Sequence, residues 1–273
     1  MNFQQKLQKI VKRNKSLVCV GLDPDIKKFP KGLKKSPSSI FSFNKAIIDA
    51  TNKLVCVYKL NIAFYEAYGL EGLKQFKKTI EYLKKKYPHI PIVLDGKRAD
   101  IGNTSKMYAK AFFEYWGGDA LTVYPHLGLD SLEPFFRYKD KLVILLIRTS
   151  NPDAKMFQDV MVGKHPYYIE IARQIKEWPY PNIGIFVGAT YPHELKQIRK
   201  IFPDKIFLSA GIGVQAASIK QAIQAGRDKK GENIMYNASR SIIYASSGKD
   251  FAERAAEETE KLRDSMNKYR FEK

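Results

Sequence analysis

Eight short apolar runs recur along the chain: LVCVGL (17–22), LVCVYKL (54–60), IPIVLD (90–95), ALTV (120–123), KLVILLI (141–147), IGIFVG (183–188), KIFLSAG (205–211) and ENIMYNA (232–238). Most are nearly continuous in Val, Ile and Leu, with little of the polar alternation that marks a strand with one wet face. Such runs belong to strands covered on both sides. Between most of them lie helix-like stretches at 41–53, 71–87, 103–116, 165–177, 192–200 and 215–225, with LDSLEPFFRY a shorter one. Eight strands alternating with helices is the count for a (β/α)8 TIM barrel. A doubly wound open sheet meets the same count, because counting strands cannot see closure. Polar residues cluster at strand C-terminal ends from both halves of the chain: Asp23, Lys59 and Asn61, Asp95 and Lys97, Thr149-Ser150-Asn151, Gly211-Ile212-Gly213, and Ser239-Arg240. That convergence predicts one α/β domain over 1–273 rather than two.

Composition narrows the partners. The 273 residues are 44% hydrophobic, enough for a sizeable core. The formal charge is +19, from 47 Lys plus Arg against 28 Asp plus Glu. An excess of that size suits polyanions, but here it is mostly lysine dispersed over helical segments, as in QFKKTIEYLKKKY. No zinc-ligand spacing, RNP-like sequence or helix-turn-helix signal accompanies it. The expectation is a solvated lysine-rich surface, with no specific nucleic acid as partner and some steering of anionic substrates. Cys19 and Cys56 sit in apolar runs and read as small buried hydrophobes. No apolar stretch approaches 18 residues and the N-terminus lacks a signal-type apolar core, so no membrane partner and a cytoplasmic location are expected. MNFQQKLQKIVKRNK can form an amphipathic helix with Phe3, Leu7, Ile10 and Val11 on one side, a cap for the domain.

The densest chemistry lies in PIVLDGKRADIGNT (91–104), where four charged groups follow an apolar strand within six positions. Alternation along an extended strand puts Asp95 and Lys97 on one face, with Gly96 carrying no bulk between them. Asp100 falls past the strand end, near the start of the next helix, and need not face its own barrel. A lone Asp-x-Lys pair is ordinarily a surface ion pair. Here Lys59 closes the neighbouring strand in the same orientation. Acids and amines confined together are held by mutual pairing, since an unpaired charge is costly to desolvate. Such an array can set an ammonium as proton donor and a carboxylate against an anionic group. Farther on, Gly211-Ile-Gly213 with Gln215 opening a helix can cradle phosphate, and Arg240 after the last strand offers a planar fork for it.

These residues resemble the orotidine 5'-monophosphate decarboxylase family, most closely its longer bacterial-type subgroup. The segment Asp95-Gly-Lys97-Arg-Ala-Asp100-Ile101-Gly-Asn-Thr104 is similar to the family's Asp-x-Lys-x-x-Asp-Ile-x-x-Thr. GLDPD (21–25), KLNIAFYEAYG (59–69), TSNPD (149–153), GIGVQ (211–215) and NASRSIIYAS (237–246) match further blocks in order. The resemblance implies decarboxylation of orotidine 5'-monophosphate to UMP, without a cofactor or metal. It implies that Lys97 protonates C6, that Asp95 lies beside the substrate carboxylate, and that Lys59 and Asp100 complete the charged array. It further implies a homodimer with shared active sites, in which Asp100, Ile101 and Thr104 reach the partner's site. Asp23 and Lys59 would contact the ribose hydroxyls and Ser150 the pyrimidine, while Gln215 and Arg240 would grip the phosphate, helped by backbone N–H groups around Gly213. The chain departs from the family pattern at Ala210, Ala216 and Asp153, all in loops or at their edges.

Two rival readings remain open at this stage. A metal-dependent sugar-phosphate decarboxylase on the same barrel would want a carboxylate on strand two, where this chain has Lys59. A non-catalytic basic nucleic-acid-binding barrel would have little use for the intact array. Of the four histidines, His126 in YPHLG is the one placed to line a site, and a structural role is the stronger expectation for it. Arg148 at the end of strand five stays ambiguous. Asp130 in GLDSLEP reads as a helix cap, with Glu133 completing a capping box. Tyr65 and Tyr68 read as packing or interface residues.

Overall fold

The computed structural model describes residues 1–212 and 216–272. All eight apolar runs become parallel strands: β1 (Val18–Gly21), β2 (Val57–Asn61), β3 (Ile92–Arg98), β4 (Ala120–Val123), β5 (Leu142–Arg148), β6 (Ile183–Gly188), β7 (Ile206–Ala210) and β8 (Ile234–Ala238). Each pairs with its sequence neighbours, and β1 pairs with both β2 and β8, through Cys19 to Val57 and Cys19 to Asn237. The sheet is therefore a closed barrel, and the open-sheet alternative falls. Closure removes every strand edge. The helices between the strands bury their apolar faces on the barrel, so one hydrophobic core runs from the barrel interior into the helix layer. Each fully buried Leu, Ile or Phe contributes roughly 1.5–3 kcal/mol.

Helix α1 (Phe3–Asn14) closes the bottom of the barrel, as its pattern predicts. Asn2 and Gln5 form a reciprocal cap at its start, with the Gln5 N–H donating to Asn2 Oδ1 at 2.9 Å. Phe3, Leu7, Ile10 and Val11 are all buried. Lys6 pairs at 3.1 Å with Asp119, which also accepts the Ile92 N–H at the foot of β3 at 2.9 Å. Asn14 donates to the carbonyls of Asn52 and Val55 below β2. These contacts tie α1 to the strand N-termini, opposite the end where the polar strand-end residues gather. Cys19 and Cys56 are buried free thiols, and burial pushes Cys19 up to about 12. Tyr65 is a packing residue whose hydroxyl donates to the Leu22 carbonyl, while the hydroxyl of Tyr68 accepts the Ile26 N–H. Among the described residues, no helix is long and apolar enough to cross a membrane.

One local expectation fails. The helix over Leu129–Phe136 is entered through Gly128 at φ 89°, and no side chain caps it. Asp130 already lies inside the first turn, so it meets the positive helix end without capping it. Glu133 instead accepts from the Tyr180 hydroxyl at 3.3 Å.

Strand β3 is also not a regular strand. Leu94 pairs with Leu121 but Arg98 pairs with Val123, so β3 carries extra residues against β4 and bulges. Within the bulge Lys97 adopts φ 46°, in the left-handed region that costs a non-glycine residue free energy. Simple alternation therefore does not place Asp95 and Lys97 together; the bulge does. Gly96 is buried where the bulge meets the wide helical turn over Ala111–Tyr115, and a Cβ there would stand 2.8 Å from the Phe112 ring. Gly96→Ala is expected to cost about 1–3 kcal/mol by overpacking, read by urea denaturation. Phe112→Leu in the same chain should recover part of that loss. A Gly96→Ala protein as stable as the parent would show that the ring yields freely.

Candidate active site

A cavity of about 340 Å³ opens at the C-terminal end of the barrel, the end where barrels of this class do chemistry. Its lining is divided. Asp23, Lys59, Asp95 and Lys97 supply charge from the β1–β3 side. Leu146, Phe186, Leu208 and Ala210 supply an apolar wall from β5 to β7. Ser150, with Thr149 and Asn151, comes from the loop after β5. A planar ring with one charged edge fits such a shape.

The charged side is a chain of alternating signs. Lys59 is 5% exposed and lies 3.4 Å from Asp23 Oδ1 and 3.3 Å from Asp95 Oδ2. Asp95, 8% exposed, receives Lys97 Nζ on its other oxygen at 2.6 Å. Thr122 donates to that same Oδ1 at 2.8 Å, and the Asn61 N–H donates to Asp23 at 3.3 Å. Burial opposes the charged form of Asp95, but the two lysines and the hydrogen bonds outweigh it and lower the carboxyl to about 2. Burial likewise opposes the ammonium of Lys59, and the Asp23 and Asp95 charges overcome it, so Lys59 is held above its ordinary value. Lys97 is the exposed member, its side chain 38% open into the cavity. The array thus ends in a cation presented to whatever enters.

Arg148, left open by the sequence, is structural. It is 1% exposed, stacks on Tyr191 at 4.6 Å and pairs with Asp159 at 3.0 Å. It also donates to the Thr149 carbonyl at 3.0 Å and to Gln158 at 3.2 Å. Gln158 in turn accepts the Thr149 N–H at 2.9 Å. These bonds draw the 149–159 segment back onto the end of β5 and fix the base of the turn that carries Ser150. His126 lies outside the cavity lining, stacked between Tyr124 and Tyr167 and bonded to the Tyr167 hydroxyl at 3.1 Å.

The other expected residues are not gathered into this cavity. Asp100 is half-buried beyond the bulge, where its carboxylate accepts the Ile101 N–H at 2.7 Å. Ile101 and Thr104 are exposed at the start of the helix Gly102–Lys110. Arg240 is exposed at the first position of the short helix Arg240–Ile243 after β8. Gly213 and Gln215 lie outside the described residues. Sequence reasoning missed Thr122, Tyr124 and Asn237, all of which line the cavity. Thr122 and Asn237 each carried a signal, as polar residues within the apolar runs ALTV and ENIMYNA. Among the described residues, no three His, Cys, Asp or Glu side chains are grouped so as to hold a metal ion.

Known proteins resemble this chain over nearly its whole length. Residues 16–255 match the model of the orotidine 5'-phosphate decarboxylase / HUMPS family. The chain belongs to that family. Orotidine 5'-phosphate decarboxylase of Thermomicrobium roseum is 42% identical over 100% of this chain and 97% of its own length. The enzyme of that name from Flavobacterium johnsoniae is 46% identical over 96% of each chain. The solved structure of OMP decarboxylase from Leishmania donovani superposes with a TM-score of 0.83 at 34% identity, covering 97% of this chain and 99% of that one. Matches to decarboxylases over full length make this a decarboxylase-type member of the family and support the bacterial-type grouping.

For this family member the array makes stability depend on pH. A carboxylate lowered from 3.8 to about 2 contributes stability that is fully present above pH 4 and is lost as pH falls through 2. The shift corresponds to about 2 kcal/mol. Asp95→Asn should therefore be less stable than the parent by about that amount at pH 7. The deficit should be roughly halved near pH 3, as followed by urea melts across that range. A deficit unchanged between pH 7 and pH 3 would show that Asp95 does not stabilise the fold through its charge.

Proposed function

We propose that the chain converts orotidine 5'-monophosphate to UMP by direct decarboxylation, with Lys97 delivering the proton to C6. The observation that carries this reading is the run Asp23–Lys59–Asp95–Lys97, which ends in an exposed ammonium 2.6 Å from a buried carboxylate. In the reaction the bond from C6 to the carboxylate breaks, CO₂ leaves and the electron pair stays on C6. A fixed ammonium stabilises that developing charge, because it needs no reorganisation when the charge appears. The same ammonium then gives up a proton to C6 and is reprotonated from solvent. Asp95, held ionised by its partners, stands beside the substrate carboxylate and repels it toward loss.

The apolar wall and the Ser150 turn suit the pyrimidine, and Asp23 with Lys59 suits the ribose hydroxyls. Gln215 and Arg240 take the phosphate, with the backbone around Gly213, and phosphate binding remote from C6 supplies energy for orienting the base. The net charge of +19 favours approach of an anionic substrate. No cofactor or metal enters this scheme, and the buried Lys59 occupies the strand-two position where the metal-dependent alternative needs an acid. Two buried free thiols suit a reducing cytoplasm.

The active unit in this reading is a homodimer. Asp100 does not reach the array of its own chain, and Ile101 beside it is 64% exposed. Both fit a segment that completes a partner's site. Symmetry then requires each subunit to receive what it donates.

Two experiments test the reading. Lys97→Ala should lower kcat by at least ~10³-fold while the fold persists, since charge stabilisation and proton source vanish together. An absorbance assay run with EDTA present measures this, and a variant within tenfold of the parent would identify the wrong acid. Mixing inactive Lys97→Ala and Asp100→Ala chains should restore activity. In a random exchange half the dimers are mixed, and about a quarter of all sites carry neither change. Mixed dimers without activity would place Asp100 in its own subunit's site.

A further inference from the structure

Thr122 sits on β4, beside the bulge in β3, and is 2% exposed. Its hydroxyl faces two groups of β3. The Lys97 backbone N–H lies 3.1 Å from Thr122 Oγ1, and Asp95 Oδ1 lies 2.8 Å from it. An amide N–H can only donate and an ionised carboxylate can only accept. The direction is therefore fixed: Thr122 Oγ1 accepts from the Lys97 amide and gives its single proton to Asp95. Asp95 Oδ1 is also the oxygen that takes Lys97 Nζ at 2.6 Å. The three hydrogen bonds close a ring through both ends of Lys97.

We propose that Thr122 is a positioning residue for the decarboxylation, clamping the bulge so that the Lys97 ammonium is held at one place in the cavity. Lys97 has a flexible four-carbon stem, and its backbone occupies the left-handed region at φ 46°. A residue so placed persists only where neighbours over-determine it. The register of β3 against β4 slips between Leu94 and Arg98, so the ladder gives the bulge little support of its own. Thr122 supplies what the ladder lacks, by satisfying the Lys97 amide from the neighbouring strand. Through its other bond it fixes which way the Asp95 carboxylate faces, leaving Oδ2 for Lys59 at 3.3 Å. Thr122 thus acts through Lys97 and Asp95, on the placement of charge and proton rather than on capture of the nucleotide.

The proposal rests on the decarboxylase reading, and the test separates the two. The parent, Thr122→Val and Thr122→Ser are compared for kcat and KM on orotidine 5'-monophosphate and for Kd of UMP. Val keeps the shape and loses the hydroxyl; Ser keeps the hydroxyl and loses the methyl. Thr122→Val should lose about tenfold to hundredfold in kcat, the range for one hydrogen bond to a charged group. KM and the Kd of UMP should stay within about threefold, and Thr122→Ser should stay within about threefold of the parent in kcat, because each of these depends on contacts the exchange leaves in place. If Thr122→Val does not fold, Thr122→Ala replaces it in the same comparison with Ser. A Val or Ala variant as fast as the parent overturns the proposal, as does a Ser variant that falls equally far, or a UMP affinity that falls in step with kcat. A parent that does not turn over orotidine 5'-monophosphate overturns the decarboxylase reading, and this proposal with it.

Discussion

The buried carboxylate of Asp95 is the point on which the site depends. Burial at 8% exposure disfavours its charge. Two ammonium groups, one on each oxygen, reverse the balance and hold it ionised. The dependence runs both ways, since Lys59 is more buried still, at 5% exposure, and keeps its proton because Asp23 and Asp95 flank it. Among the described residues, removing Lys59 takes the ion pair of Asp23 and removing Asp95 takes that of Lys97, so the two central members hold the ends. Fixed charge next to a reacting carbon is what direct decarboxylation asks of a protein.

Holding that array requires a scaffold that does not relax. Barrel closure provides it, with β1 bonded on both edges and α1 seated across the strand N-termini. The stabilising and the reactive ends of the barrel are thereby separated. At the reactive end, irregularity is concentrated in one place: the bulge of β3, the left-handed Lys97 and the close approach of Phe112 to Gly96. Strained backbone of this kind commonly sits at functional sites, where neighbouring structure over-determines it.

The loop after β5 follows a different logic. It exposes Met156, Phe157 and Met161, yet its root is tied down by Arg148, Gln158 and Asp159. A fixed root with an open tip lets Ser150 be positioned while the outer segment remains accessible. Arg148 achieves this through a buried planar guanidinium that hydrogen-bonds Thr149, Gln158 and Asp159 while stacking on Tyr191, which an ammonium could not match.

Much of this was legible in the sequence. The eight apolar runs determined strands buried on both faces, because only burial tolerates unbroken Val, Ile and Leu, and the alternation with helices determined parallel pairing. The motif around Asp95, Lys97 and Lys59 determined a paired charged array, because charge so dense at strand ends survives only when paired. The amphipathic pattern of Phe3, Leu7, Ile10 and Val11 determined the cap. Tertiary structure alone decided closure, which depends on the first strand meeting the last, 218 positions apart at Cys19 and Asn237. It alone decided that Asp95 and Lys97 meet through a bulge and not through alternation, since a register slip exists only between two strands. It alone revealed Thr122, Arg148 and the entry of the 129–136 helix through Gly128, because a hydroxyl or a guanidinium has no function until its partners from distant segments stand within hydrogen-bond reach.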